Sequence, residues 1–162
     1  MKRNEILAFM GIGSGDAVTY TRMRGFTEMS VSKNPKEYSR KYVDEDSERT
    51  DVTGYSQSMS YKFDYDPENV VHAALKEISD KELTGKAAVV SIVVVDLSKA
   101  ASEGGSDFTA IKRDFSVVPS GEGDDADTYT CSGDFKASGE KVFGTASTTD
   151  EWQTATFSAE EN

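Results

Sequence analysis

Few residues in this 162-residue chain have the type and spacing to do chemistry. His72 is the only histidine and has no cysteine near it, so metal ligation and imidazole acid–base work both lack partners. Cys131, the only cysteine, shares one side of an alternating stretch with Tyr129 and Phe135. That predicts a small core residue, since no His or Asn constellation is at hand to lower its thiol pKa. The run GIGSG at residues 11–15 has the glycines of a phosphate loop. It lacks a preceding buried strand, a following helix and the Walker lysine, and reads instead as part of a flexible N-terminal arm over residues 1–18, anchored by Ile6, Leu7, Phe9 and Met10. SGEGDDAD at residues 120–127 is calcium-like only in composition; without the ligand spacing and closing glutamate it reads as a solvated acidic hairpin tip. The 29 acidic residues make a glycosidase pair easy to imagine, yet nothing in the sequence holds two carboxylates at a set separation. No catalytic residue, metal site or cofactor is expected.

Charge narrows the partners. A formal net charge of −11 opposes ordinary nucleic-acid binding, because a surface that tracks phosphates needs clustered Lys and Arg. A lone cysteine excludes an internal disulfide, and no apolar run approaches membrane-spanning length. Residues 6–10 are too short for a signal-peptide core, so folding in a cytoplasm is expected, with no membrane partner. At this length, 36% hydrophobic and 10% aromatic, the chain is read as a single domain over 1–162 with one core.

The elements that would position anything functional are mostly strands. From Tyr55 to Tyr65 every second residue (Tyr55, Gln57, Met59, Tyr61, Phe63, Tyr65) is large, while Ser56, Ser58, Ser60, Lys62 and Asp64 between them are small or charged. Side chains alternate across a strand, so this predicts one long two-faced strand of roughly 36 Å. Strands are also expected over residues 19–23, 26–33 and 37–43, with a turn at Asn34-Pro35. The polar run at residues 42–50 would then be the extended tip of a long hairpin, protruding at about 43–54. Asp66 as N-cap, with Pro67 and Glu68 in the first turn, predicts a helix to about residue 79. Its stripe is Val70, Val71, Ala74, Leu75 and Ile78, and His72 falls off it, as a solvated or subunit-contact residue. Near-continuous Val and Ile at residues 87–97 predict a central strand buried on both faces, covered on one side by the helix. Further strands at 108–118, ended by Pro119 and Gly121, then at 128–135, 141–144 and 152–158, precede a short acidic tail at 159–162. The total is eight or nine strands and one helix, a mainly β sandwich or barrel.

Within residues 26–97, FTEMSVSKNPKEYSRKYVDEDSERTDVTGYSQSMSYKFDYDPENVVHAALKEI followed by the Val-rich strand resembles the major tail tube proteins of long-tailed bacteriophages and related phage-derived particles. NPKEYSRKYVDE at 34–45, and TGY at 53–55 entering an alternating strand before a single helix, carry most of the likeness. The resemblance implies a β-sandwich whose subunits join as hexameric rings, their inner sheets fused into a barrel around a lumen. Rings stack into a virion tail tube, assembled in the host cytoplasm, that encloses a tape measure protein, meets tail terminator and tip proteins, and conducts DNA without specific binding. Under this implication Asp44, Glu45, Asp46, Glu48, Arg49 and Asp51 contact the neighbouring ring, and Ser56, Ser58, Ser60, Lys62 and Asp64 face the lumen. A different class also fits the strand pattern: a stand-alone β-sandwich carbohydrate-binding module, with Trp152 and the tyrosines of residues 55–65 stacking on sugar rings.

Overall fold

The computed structural model describes residues 1–13 and 15–160. It is mainly β, with eleven strands and one α-helix among the described residues. Nine strands form one sheet in the order β10-β11-β2-β1-β7-β8-β9-β6-β3, and β4 and β5 form a separate pair. The strands are β1 (Ile6–Ile12), β2 (Thr19–Arg22), β3 (Phe26–Ser32), β4 (Pro35–Arg40), β5 (Arg49–Tyr55), β6 (Ser58–Asp64), β7 (Val89–Ala100), β8 (Phe108–Glu122), β9 (Thr130–Ala137), β10 (Val142–Ser147) and β11 (Thr154–Ala159). Helix α1 spans Val70–Asp80.

Strand β8 gives the sheet its shape because it changes partners along its length. Residues 108–112 pair with β10, while residues 115–122 pair with β9. The β8–β10 pairing closes β1, β2, β11, β10, β8 and β7 into an antiparallel barrel, leaving those strands no free edge there. Its interior holds Leu7, Phe9, Val93, Val95, Ala110, Ala146 and Ala155. The opposite face of the shared strands, continued by β9, β6 and β3, carries a second core: Met10, Ile92, Phe115, Phe135, Met59, Tyr61 and Phe63 pack with Val71, Leu75 and Ile78 of α1. Strand β7 is therefore central and buried on both faces, with the helix on one side, as its Val-rich sequence predicts. Each fully buried Val, Leu or Phe here stabilises by roughly 1.5–3 kcal/mol.

Several expectations are corrected. Residues 6–12, within the expected flexible arm, are instead a strand of the sheet: β1 pairs with both β2 and β7, and Phe9 and Met10 are buried. Its hydrophobic residues are spaced to fill both cores, Phe9 one and Met10 the other. Ser14 and the last two residues of the acidic tail lie outside the described residues. The helix starts later than Asp66. Asn69 is the N-cap, accepting from the backbone amides of Val71 (3.0 Å) and His72 (3.3 Å), whereas Asp66 accepts from the Glu68 amide (3.0 Å) in a turn before the helix. Strand β8 does not end at Pro119 but continues to Glu122 across a register shift between Pro119 and Gly121.

His72 is buried, not solvated. Its ring stacks on Phe63 at 4.3 Å and meets Phe26 edge-on at 5.4 Å. Nδ1 accepts from the Asp66 amide (3.2 Å) and Nε2 lies 2.6 Å from the Arg24 carbonyl, so the neutral ring with its proton on Nε2 satisfies both ends. Gly25 leaves room for it: a Cβ there would sit 2.9 Å from His72 Cε1, and Gly25 has φ +74°. Of the expected stripe, Val71, Leu75 and Ile78 are buried and Ala74 half-buried, while Val70 is exposed and His72 takes its place in the core.

The acidic tip after β8 is partly engaged as well. Glu122 accepts from Ser79 Oγ (2.7 Å), Tyr129 Oη (2.7 Å) and Lys76 Nζ (3.2 Å), tying the helix to the β8–β9 turn. Those donors hold its carboxyl down at about 2.

Candidate assembly surfaces

The stretch at residues 51–65 is two strands rather than one. Strand β5 pairs with β4 outside the body, and β6 runs inside the main sheet between β3 and β9. The break at Ser56-Gln57 faces Lys33-Asn34 on the partner strand. Asn34 adopts φ +47°, and its side-chain amide donates to the Ser56 carbonyl at 3.0 Å. Yet no register is lost, since Ser32 lies opposite Ser58 and Pro35 opposite Tyr55, three residues on along each strand. β3–β4 and β5–β6 are thus one long ribbon, bent where it leaves the body.

Outside the body this ribbon has no core. From residue 31 to residue 56 every side chain is exposed except Arg40, Glu45 and Gly54, which are half-buried. Tyr38, Tyr42, Val43, Val52 and Tyr55 all present apolar surface to solvent. What orders the arm is local. Ser39 and Thr50 hydrogen-bond across the strands at 2.9 Å. The guanidinium groups of Arg40 and Arg49 lie 5.4 and 5.8 Å from the centre of the Tyr42 ring, within cation–π range. Arg40 pairs with Asp51, and Arg49 with Glu45.

These pairs divide the residues expected to touch a neighbouring ring. Glu45, Arg49 and Asp51 are engaged within the arm, whereas Asp44, Asp46 and Glu48 carry no ion pair among the described residues and stand exposed at or beside the tip. The protrusion is longer than residues 43–54, running from Pro35 to Tyr55.

The second surface is the wet face of β6. Met59, Tyr61 and Phe63 are buried, so Ser58, Ser60, Lys62 and Asp64 point away from the core. Ser56 is exposed at the arm root, outside β6. Cross-strand register extends this face to residues that sequence reasoning missed: Glu28, Ser30 and Ser32 of β3, and Ser132, Asp134 and Lys136 of β9. Only the partner strands reveal it, because alternation within one strand carries no register. Ser60 donates to Asp134 (3.0 Å) and Lys62 reaches Asp124 (3.3 Å), so the face is short, mixed in charge and internally paired.

A third feature, absent from the sequence reading, sits at the arm root. Lys33, Tyr55, Gln57, Arg113, Glu140 and Lys141 line a cavity of about 620 Å³. Arg113 leaves β8 near its change of partner and donates to Gln57 Oε1 (2.8 Å) and the Gly139 carbonyl (2.7 Å). Burial, then the neighbouring Lys33 ammonium and Arg113, push the Lys141 amine below its ordinary value.

Trp152 is half-buried, its ring 6.0 Å from Phe9 and 5.8 Å from Phe108. Cys131 is buried in the core, and burial raises its thiol pKa. Among the described residues no His, Cys, Asp and Glu group is arranged to hold a metal, and no helix is long and apolar enough to cross a membrane. No protein-family model matches the chain, and no curated protein matches it.

Proposed function

We propose that this is a structural, self-assembling tail tube subunit: copies join as hexameric rings, the rings stack into a tube, and the tube encloses a tape measure protein and later conducts DNA. The observation that carries the proposal is the arm. An isolated two-stranded ribbon is marginal in water, and one that exposes three tyrosines and two valines beyond its local pairs would be further stabilised by docking on another molecule. Continuity of register with β3 and β6 couples the arm to the body, so docking at the tip orients the whole subunit.

The serine-lined face of β3, β6 and β9 supports the conduit part of the reading. Short hydroxyl side chains, with Lys62 near Asp124 and a net charge of −11, present no row of free cations to hold a phosphate backbone. Among the described residues strand β3 pairs only with β6, so its outer edge is open there for a neighbouring subunit to extend the sheet. Replacing residues 41–48 by a short Gly-Ser turn tests the proposal. Sedimentation velocity should show an unchanged, folded subunit that no longer forms large assemblies; assembly equal to the parent's would remove the arm from the account.

A further inference from the structure

The cavity at the arm root contains three cationic side chains, Lys33, Arg113 and Lys141, against a single carboxylate, Glu140, in a chain whose net charge is −11. Among the described residues none of the three cations has an ion pair, although four acidic residues lie within the tip of the same arm. Crowding like charges this way is unfavourable unless an anion completes the site. Lys33 is exposed, Lys141 half-buried, and the Tyr55 ring forms an apolar wall, so an acidic side chain entering from outside meets both charge and contact surface.

The complementary group is on the molecule, but out of its own reach. Six residues of β4 at about 3.4 Å each put the tip roughly 20 Å from the root, and the β4–β5 register keeps the arm extended. Asp44, Asp46 and Glu48 are the carboxylates there that no arginine already holds.

The geometry points to a head-to-tail contact in which the acidic arm tip of one copy, through Asp44, Asp46 and Glu48, docks in the Lys33–Arg113–Lys141 cavity of a second copy. This rests on the tail tube reading and names the receiving site for its arm. Such a contact is heterologous, joining two different patches, and so propagates into a ring or a filament instead of stopping at a dimer. Nucleic acid is the poorer occupant, because one small pocket with a carboxylate inside it cannot follow a phosphate backbone across an acidic surface.

Charge reversal tests the contact in the full-length chain. Lys33→Glu with Lys141→Glu should raise the concentration needed for assembly at least about tenfold, and Asp44→Lys with Asp46→Lys and Glu48→Lys should do the same. Combining both sets in one chain should recover most of the loss. Lys33→Gln with Lys141→Gln, milder at the half-buried site, should show the same direction if the glutamates impair folding. Carbodiimide coupling of the wild-type assembly should link Lys33 or Lys141 to Asp44, Asp46 or Glu48 of another copy, located by mass spectrometry. Assembly by both pocket variants at the parent concentration, or no rescue in the combined chain, overturns the inference and leaves the tail tube reading standing. A wild-type chain that stays monomeric at every concentration overturns both. Binding of a fluorescent DNA duplex that the pocket variants abolish would assign the cavity to phosphate and contradict the tip assignment.

Discussion

Arg40 donates from Nε to the Tyr42 hydroxyl at 2.7 Å and lies over the same ring, so one side chain fixes both the edge and the face of the other. Arg49, directly across the ladder from Arg40, approaches that ring too. Two like charges facing each other would normally open a hairpin end. Here Tyr42, Asp51 and Glu45 surround them, and the tip is ordered without any core beneath it.

Tyr42→Ala removes both ring contacts, worth about 0.5–1 kcal/mol each at an exposed site. Amide exchange across residues 36–54 should accelerate several-fold, while the unfolding midpoint of the body moves little, because no arm residue reaches either core. Equal changes in arm and body would show that the arm is part of the main cooperative unit.

His72 makes stability depend on pH near neutrality. Burial lowers its folded pKa below the ordinary 6.5, outweighing the nearby carboxylates of Asp64 and Asp66. The unfolded chain therefore binds more protons in the window just below pH 6.5, and stability falls as pH drops through it. Urea unfolding at pH 7.5, 6.5 and 5.5 should show this slope. His72→Leu should be less stable at pH 7.5, leaving the Asp66 amide and Arg24 carbonyl unpaired, and should lose that slope.

A separate acid transition belongs to Glu122. Its folded pKa of about 2 lies below the ordinary 4.5, so its contribution is present above pH 4.5 and fades as pH falls toward 2. Glu122→Ala should cost about 0.5–1.5 kcal/mol at pH 7 by removing its hydrogen bonds to Ser79, Tyr129 and Lys76, all within reach of solvent, and much less at pH 2.5.

At Gly133 the chain leaves no space for a side chain. A Cβ there would sit 2.6 Å from the Val118 carbonyl oxygen and 2.9 Å from Pro119 Cα, both backbone atoms beside the β8 register shift. Gly133→Ala should destabilise by about 1–3 kcal/mol in urea unfolding, through displacement of β8 from β9.

How much of this was legible in the sequence depended on whether it was written along one strand or between two. The Val-rich β7, the oily side of Met59, Tyr61 and Phe63, the core position of Cys131 and the hairpin around residues 42–50 are periodicities within single segments, and they read correctly. The barrel closure by β8 and β10, the serine face shared by β3, β6 and β9, and the meeting of Lys33, Arg113 and Lys141 arise from pairings that alternation does not encode. His72 was misread because it sits at the margin of the apolar stripe of α1, and its burial comes from Phe26 and Phe63 of neighbouring strands and from the Arg24 carbonyl, contacts that helical spacing does not encode.

Negative-stain electron microscopy of the purified wild-type protein, across a concentration series, bears most directly on the account as a whole. Rings or hollow tubes of uniform diameter are the predicted result. A monodisperse monomer at every concentration, its arm still protected from amide exchange, would contradict it.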